Sequence, residues 1–292
     1  MKKVLMIGLA AALILFSLGG VYAADMDDTL KKIEKSGKFV VGVRDAAIPF
    51  AYIDSKNENV GFSVDMAKEF HKAIEAKLGK DIKLQFKTST PKTRIPLVAN
   101  GTIDMECGST THTVGREDTV DFSITVFLTG TQLLVKKGSG IKTVQDLAGK
   151  KVGAAQGSTN EKAIRDLNTR GVIKPEAKLV VYQEHSRGFL ALQQGMLDAY
   201  CTDGILLSGM KAKAKNPDDF ELIGGLLTYD PYAYIVREND SNFRDFINIE
   251  IISMIKDGRF YKLYDKWFGP GGVVPYPMTD EFKILVELQA WP

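Results

Sequence analysis

Short apolar runs separated by glycine-marked turns recur along the chain, and they recur in the same order twice. Residues 39–43 (Phe-Val-Val-Gly-Val) and 151–155 (Lys-Val-Gly-Ala-Ala) read as buried strands, each after a Gly-Lys turn, Gly37-Lys38 and Gly149-Lys150. Residues 83–86 (Lys-Leu-Gln-Phe) match residues 178–181 (Lys-Leu-Val-Val) as a second strand. Residues 93–101 and 187–195 then read as short helices, each closed by a glycine, the residue that accepts the left-handed conformation beyond a helix end. Residues 103–107 and 197–201 complete the unit, and Gly101 precedes Asp104 by the same three residues that separate Gly195 from Asp198. Alternating strands and helices imply parallel, doubly wound sheets, and two copies imply two α/β lobes. Towards the carboxyl end, apolar positions at Phe243, Phe246, Ile247, Ile251 and Met254 keep a helical period. A second helix over 259–268 is stopped by Gly269-Pro270-Gly271-Gly272. Residues 273–292 carry no functional signal.

The amino terminus sets the compartment. Met1-Lys2-Lys3 is basic, residues 4–18 are apolar or small, and Gly19-Gly20-Val21-Tyr22-Ala23 is a small-residue cleavage region. Residues 1–23 therefore read as a cleaved signal peptide and the mature chain as periplasmic. Loss of Lys2 and Lys3 takes the formal net charge from +2 to 0, which excludes a basic nucleic-acid binder. Cys107 and Cys201 belong to no metal or redox spacing, and they read as two buried free thiols. His71, His112 and His185 are the only histidines and have no zinc interval. No metal and no cofactor are expected.

Ligands in open α/β sheets bind beyond the carboxyl ends of the strands. In the first unit those positions hold Arg44, then residues 90–94 with Arg94, then Ser109 and Thr111 with Arg116 close behind. In the second they hold Gln156 to Thr159, then Glu184-His185-Ser186, then Thr202-Asp203. A guanidinium pairs with a carboxylate through two parallel hydrogen bonds. A neutral amino acid needs one arginine and one aspartate, whereas Arg44, Arg94 and Arg116 suggest a ligand with a second carboxylate. Each residue also has an ordinary reading. Any one arginine is as often a solvated surface group, Asp203 is placed to cap a helix from Gly204, and Ser158 is placed to cap the helix after it.

At these residues the chain resembles the family 3 solute-binding proteins for polar amino acids, and within them the bacterial glutamate/aspartate-binding proteins of ABC transporters. The phrases that carry the resemblance are Val40-Val41-Gly42-Val43-Arg44, Ile48-Pro49-Phe50, Arg94-Ile95-Pro96-Leu97 and Glu106-Cys107-Gly108-Ser109-Thr110-Thr111. Asp146-Leu147-Ala148-Gly149-Lys150 and Asp265-Lys266-Trp267-Phe268 mark the wider family. The resemblance implies that Arg116 and the amide near Thr159, beside Ser158, hold an α-carboxylate. It implies Ser109, Thr111 and Asp203 for the α-ammonium, and Arg44, Arg94 and His185 for the side-chain carboxylate. Where relatives place a serine shortly before the second arginine, this chain has Pro91, and His112 replaces an uncharged residue near the site.

The implied fold is the type II periplasmic binding protein, two doubly wound α/β lobes joined by a two-crossing hinge near residues 130–133 and 232–235. Residues 24–131 and 233–292 form lobe 1, and residues 132–232 form lobe 2. The implied partners are an acidic amino acid, L-glutamate or L-aspartate, and the membrane permease subunits of an importer, with the protein acting as a monomer and not as an enzyme. The rival readings are the same family with another polar amino acid as ligand, and a dehydratase on the same fold with Ser109, His185 and Asp203 as its candidate polar set.

Overall fold

A computed structural model describes residues 28–290; the signal peptide read from the sequence lies outside them. Helix α1 (Thr29–Ser36) starts where the Asp28 side chain accepts from Leu30 N and ends at Gly37 in the left-handed region. It leads into β1 (Lys38–Val43), the short strands β2 (Ala46–Ala47), β3 (Ala51–Ile53) and β4 (Asn59–Val60), and helix α2 (Phe62–Leu78). Phe62, Met66, Phe70 and Ile74 recur every four residues on α2 and are all buried, so one face of the helix lies on the sheet. Then come β5 (Lys83–Thr88), α3 (Arg94–Ala99), β6 (Met105–Glu106), α4 (Val114–Glu117) and β7 (Val120–Phe122).

Next, β8 (Phe127–Thr129) leads into β9 (Thr131–Lys136), after which the unit repeats: β10 (Lys151–Ala155), α5 (Thr159–Thr169), β11 (Lys178–Tyr182), α6 (His185–Gln193), β12 (Ala199–Asp203), α7 (Gly204–Ala212) and β13 (Phe220–Ile223). The chain returns through β14 (Asp230–Tyr232) into β15 (Ile235–Arg237) and ends with α8 (Ser241–Lys256), α9 (Arg259–Phe268) and α10 (Asp280–Gln289).

The two large sheets have matching orders, β5-β1-β6-β15-β7 and β11-β10-β12-β9-β13. The chain is mixed α/β with two sheet-containing lobes. Neither sheet is wholly parallel, which departs from the reading of the sequence. The fourth strand of each, β15 and β9, runs antiparallel to its neighbours. The physical reason is that each follows a crossing directly: β8 and β14 pair antiparallel, and each hands the chain to the opposite sheet.

The repeat holds in atomic detail. Asp104 Oδ2 accepts from Val40 N at 2.7 Å, and Asp198 Oδ2 accepts from Lys151 N at 2.7 Å. These pairs sit one residue before Met105 beside Val41 and before Ala199 beside Val152. Gly42 and Gly153 occupy equivalent places, and a Cβ at either would lie 2.4 Å from the side chain of Ile103 or Leu197.

Beneath the crossing lies an aromatic core. Phe127 of β8 packs on Phe50 at 4.9 Å and on Phe268 at 4.8 Å between ring centroids, and Tyr232 of β14 packs on Phe50 at 5.1 Å. Helix α10, which the sequence left unassigned, closes this core from below. Its Phe282 meets Phe127, and Gln289 bonds both the N–H and the carbonyl of Thr125 at 3.0 Å.

Candidate functional site

Eight of the nine candidate residues from the sequence come together between the two sheets. Arg44 follows β1 and Arg94 opens α3. Ser109 and Thr111 lie in the loop after β6. On the other side Ser158 and Thr159 start α5, His185 starts α6 and Asp203 ends β12. These eight residues line one small, nearly filled cavity with Pro91, Asn160, Thr202 and Leu206. Arg116, the ninth candidate, lies on α4 in the adjoining cleft with Ser158 and Thr159. Its guanidinium donates to the Thr111 carbonyl and, at 3.4 Å, to that of Gly157.

The cations are buried. Arg44 and Arg94 are 1% and 3% exposed. The Arg94 guanidinium donates to Ser109 O at 3.1 Å, and among the described residues its Nε has no hydrogen-bond partner; nor does the Nε of Arg44. Burial, reinforced by Arg116 and Arg44, pushes Arg94 down to about 9, and Glu106 only partly opposes the shift. His185 is 2% exposed. Its Nδ1 lies 3.1 Å from the Tyr200 hydroxyl, and burial, with Arg44 and Arg94 nearby, holds it well below the usual histidine range. It is therefore a neutral polar group at pH 7.

The anion opposite is rigidly held. Asp203 occupies the N-cap position of α7, yet its side chain makes no capping bond. Asn160 donates to its Oδ1 at 2.8 Å and the Tyr232 hydroxyl donates to its Oδ2. Asn160 also donates to Thr131 Oγ1 at 2.8 Å. Burial and neighbouring Asp230 raise Asp203 to about 6, against the two hydrogen bonds. By contrast Ser158 is a true helix cap: its hydroxyl accepts from Glu161 N at 3.0 Å and donates to Ala155 O at 2.7 Å. What the start of α5 offers a ligand is its first backbone N–H groups, which favour an anion.

Three residues near the site escaped the sequence reading, and a fourth, Glu184, was placed at a strand end without a role. Glu106 is fully buried and accepts from the Thr110 hydroxyl at 2.7 Å, Glu184 pairs with Arg44 at 2.8 Å, and Asn160 and Tyr232 orient Asp203. The two glutamates had a signal: burying three arginines is costly without carboxylates nearby. His112 turns away, stacking on Phe122 with centroids 4.2 Å apart and pairing with Glu117. The hydroxyls near Pro91 are engaged within the protein. Ser89 donates to Val43 O at 3.2 Å, and Thr90 and Thr93 bond each other.

Among the described residues no His, Cys, Asp and Glu group is arranged to hold a metal, and no helix is long and apolar enough to cross a membrane. Cys107 and Cys201 are buried free thiols. The described hydrogen bonds of His185 and Asp203 run to Tyr200, Asn160 and Tyr232, so Ser109, His185 and Asp203 form no bonded triad.

The chain resembles known proteins along most of its length. A glutamate/aspartate-binding protein of Pseudomonas aeruginosa is 37% identical over 91% of this chain and 90% of its own. A glutamine-binding protein of Bacillus subtilis is 39% identical over 82% of this chain and 84% of its own. The structure of an ancestral arginine-binding protein bound to arginine superposes with a TM-score of 0.73 at 32% identity, covering 80% of this chain and 99% of that one. Residues 39–270 match the model of the bacterial extracellular solute-binding proteins, family 3, and the chain belongs to that family.

Proposed function

We propose that this protein is the periplasmic substrate-binding subunit of an ABC importer and that it captures an acidic amino acid, L-glutamate or L-aspartate. The observation that carries the acidic reading is Arg94: a fully buried guanidinium with an unpartnered Nε, held down to about 9, lining the cavity between the two sheets. Keeping it charged at pH 7 costs roughly 5 kcal/mol at about 1.4 kcal/mol per pH unit. A carboxylate brought by the ligand offsets that cost. The similarity to a glutamate/aspartate-binding protein across nine-tenths of both chains supports the same assignment.

In this reading Arg116 and the first N–H groups of α5, at Ser158 and Thr159, hold the α-carboxylate. Asp203, Ser109 and Thr111 hold the α-ammonium, and Arg94, Arg44 and neutral His185 take the distal carboxylate. Residues 24–131 and 233–292 form one lobe and 132–232 the other. The ligand draws them together because it touches both, so binding shifts the population to the closed form. No covalent step is involved, and the permease reads the closed shape.

Isothermal titration calorimetry of the ligand-stripped mature protein with L-glutamate, L-aspartate, L-glutamine and L-arginine tests this. Tight one-to-one binding of an acidic ligand, with glutamine much weaker, is the expected result. Preference for glutamine or arginine overturns the acidic assignment. One observation favours a glutamine reading as the alternative: Glu184 already pairs with Arg44.

A further inference from the structure

The Arg44–Glu184 pair reaches from one lobe to the other and has no place in the binding scheme above. Arg44 follows β1 of the first sheet; Glu184 immediately precedes α6 on the second. Glu184 Oε2 meets Arg44 Nη2 at 2.8 Å, with the side chains 18% and 1% exposed. The contact is one-pronged. Arg44 Nε and Glu184 Oε1 are buried and have no partner among the described residues, whereas a matched guanidinium and carboxylate would use two parallel bonds. Glu184 does not itself line the cavity, although its neighbour His185 does. Arg44 lines the cavity, so one side chain is shared between the cavity and a carboxylate outside its lining.

A carboxylate so placed acts differently on different ligands. It takes up donors of Arg44 and offsets the positive potential that a second ligand carboxylate would feel at that point. A carboxamide carries no net charge and is nearly indifferent to it. We propose that Glu184 is a specificity-determining residue, competing with the distal carboxylate of an acidic amino acid for Arg44 and so narrowing the preference for acid over amide. This rests on the reading of the cavity as an amino-acid site.

The test is calorimetric titration of the mature wild-type protein, Glu184→Gln and Glu184→Ala with L-glutamate and L-glutamine, with thermal melts to establish folding. In both variants glutamate is expected to bind about tenfold more tightly, while glutamine changes by less than about twofold, so the glutamate preference rises about tenfold. Glu184→Asp, which keeps the charge and withdraws it by one methylene, is expected to fall between. An unchanged glutamate-to-glutamine ratio, or equal weakening of both ligands as from loss of a simple inter-lobe tie, overturns the proposal. The two readings fail separately. A wild-type protein that prefers glutamine, with variants shifted toward glutamate, sinks the acidic assignment and upholds the role of Glu184. A wild type that prefers glutamate, with a ratio that no variant moves, does the reverse.

Discussion

The two lobes share a scaffold and differ in the chemistry they present. Arg44 stands just beyond β1 where Gln156 stands just beyond β10, and Arg94 opens α3 where His185 opens α6. Asp203 closes β12, while its counterpart loop after β6 carries Ser109 and Thr111. The clamps that hold each unit, Asp104 on Val40 and Asp198 on Lys151, are the same bond at the same length. One lobe thus supplies the buried guanidinium groups and the other the neutral imidazole, the helix start and the Asp203 carboxylate. The matching scaffold meets the same packing demands in both lobes, while the residues just beyond the strands differ.

The comparison breaks most sharply at Asp203. Asp203→Ala removes a carboxylate held by Asn160 and Tyr232, and it is expected to weaken every amino-acid ligand about 1,000-fold, about 4 kcal/mol, by calorimetry. On the opposite lobe, Arg94→Met is expected to weaken glutamate about 100-fold and glutamine far less. It should also leave the ligand-free melting temperature unchanged or raised, since a costly buried cation is gone. Equal losses for both ligands would place Arg94 in scaffolding and not in selectivity.

pH separates the lobes as well. Asp203 is held near 6 against an ordinary 3.8, so its contribution to stability is present below 3.8 and is lost as pH rises through about 6. Ligand binding runs the other way, because the ammonium needs the carboxylate. Affinity is expected to fall by about tenfold per pH unit below 6, measured by titration between pH 7.5 and 5. His185, held low by burial and two arginines, destabilises the fold as pH drops below the ordinary histidine value near 6.5. There the unfolded chain takes up a proton and the folded one does not.

The smallest effect on binding is expected at the clamps. Asp104→Ala and Asp198→Ala should each cost about 1–3 kcal/mol of stability, read by urea unfolding, with ligand ratios unmoved. Asp104 should cost more, because Lys32 also pairs with it at 2.7 Å.

Much of the site was legible because its residues sit at positions that periodicity exposes: the first residues after strands, spaced alike in two copies. Arg44, Arg94, His185 and Asp203 could be placed together on that ground alone. Glu106, Asn160 and Tyr232 could not, and Glu184 was placed there without its partner. Glu106 read as one more strand residue. Glu184 and Asn160 adjoin candidates but gain meaning only from the opposite lobe or a neighbouring strand, and Tyr232 reaches Asp203 across the crossing. The antiparallel β9 and β15 escaped for a related reason, since direction within a sheet depends on how the chain enters it, and hydrophobic period is blind to that.

By itself the sequence determined the repeated strand–helix–strand units, their two α/β lobes and the charges at the strand ends, because local period and turn chemistry act over a few residues. Only the tertiary structure decided which charges meet. Arg44 and Glu184 are 140 residues apart in the chain, and nothing local encodes their contact. It arises because two crossings bring the faces of separate sheets together, and burial there strengthens every unmatched charge.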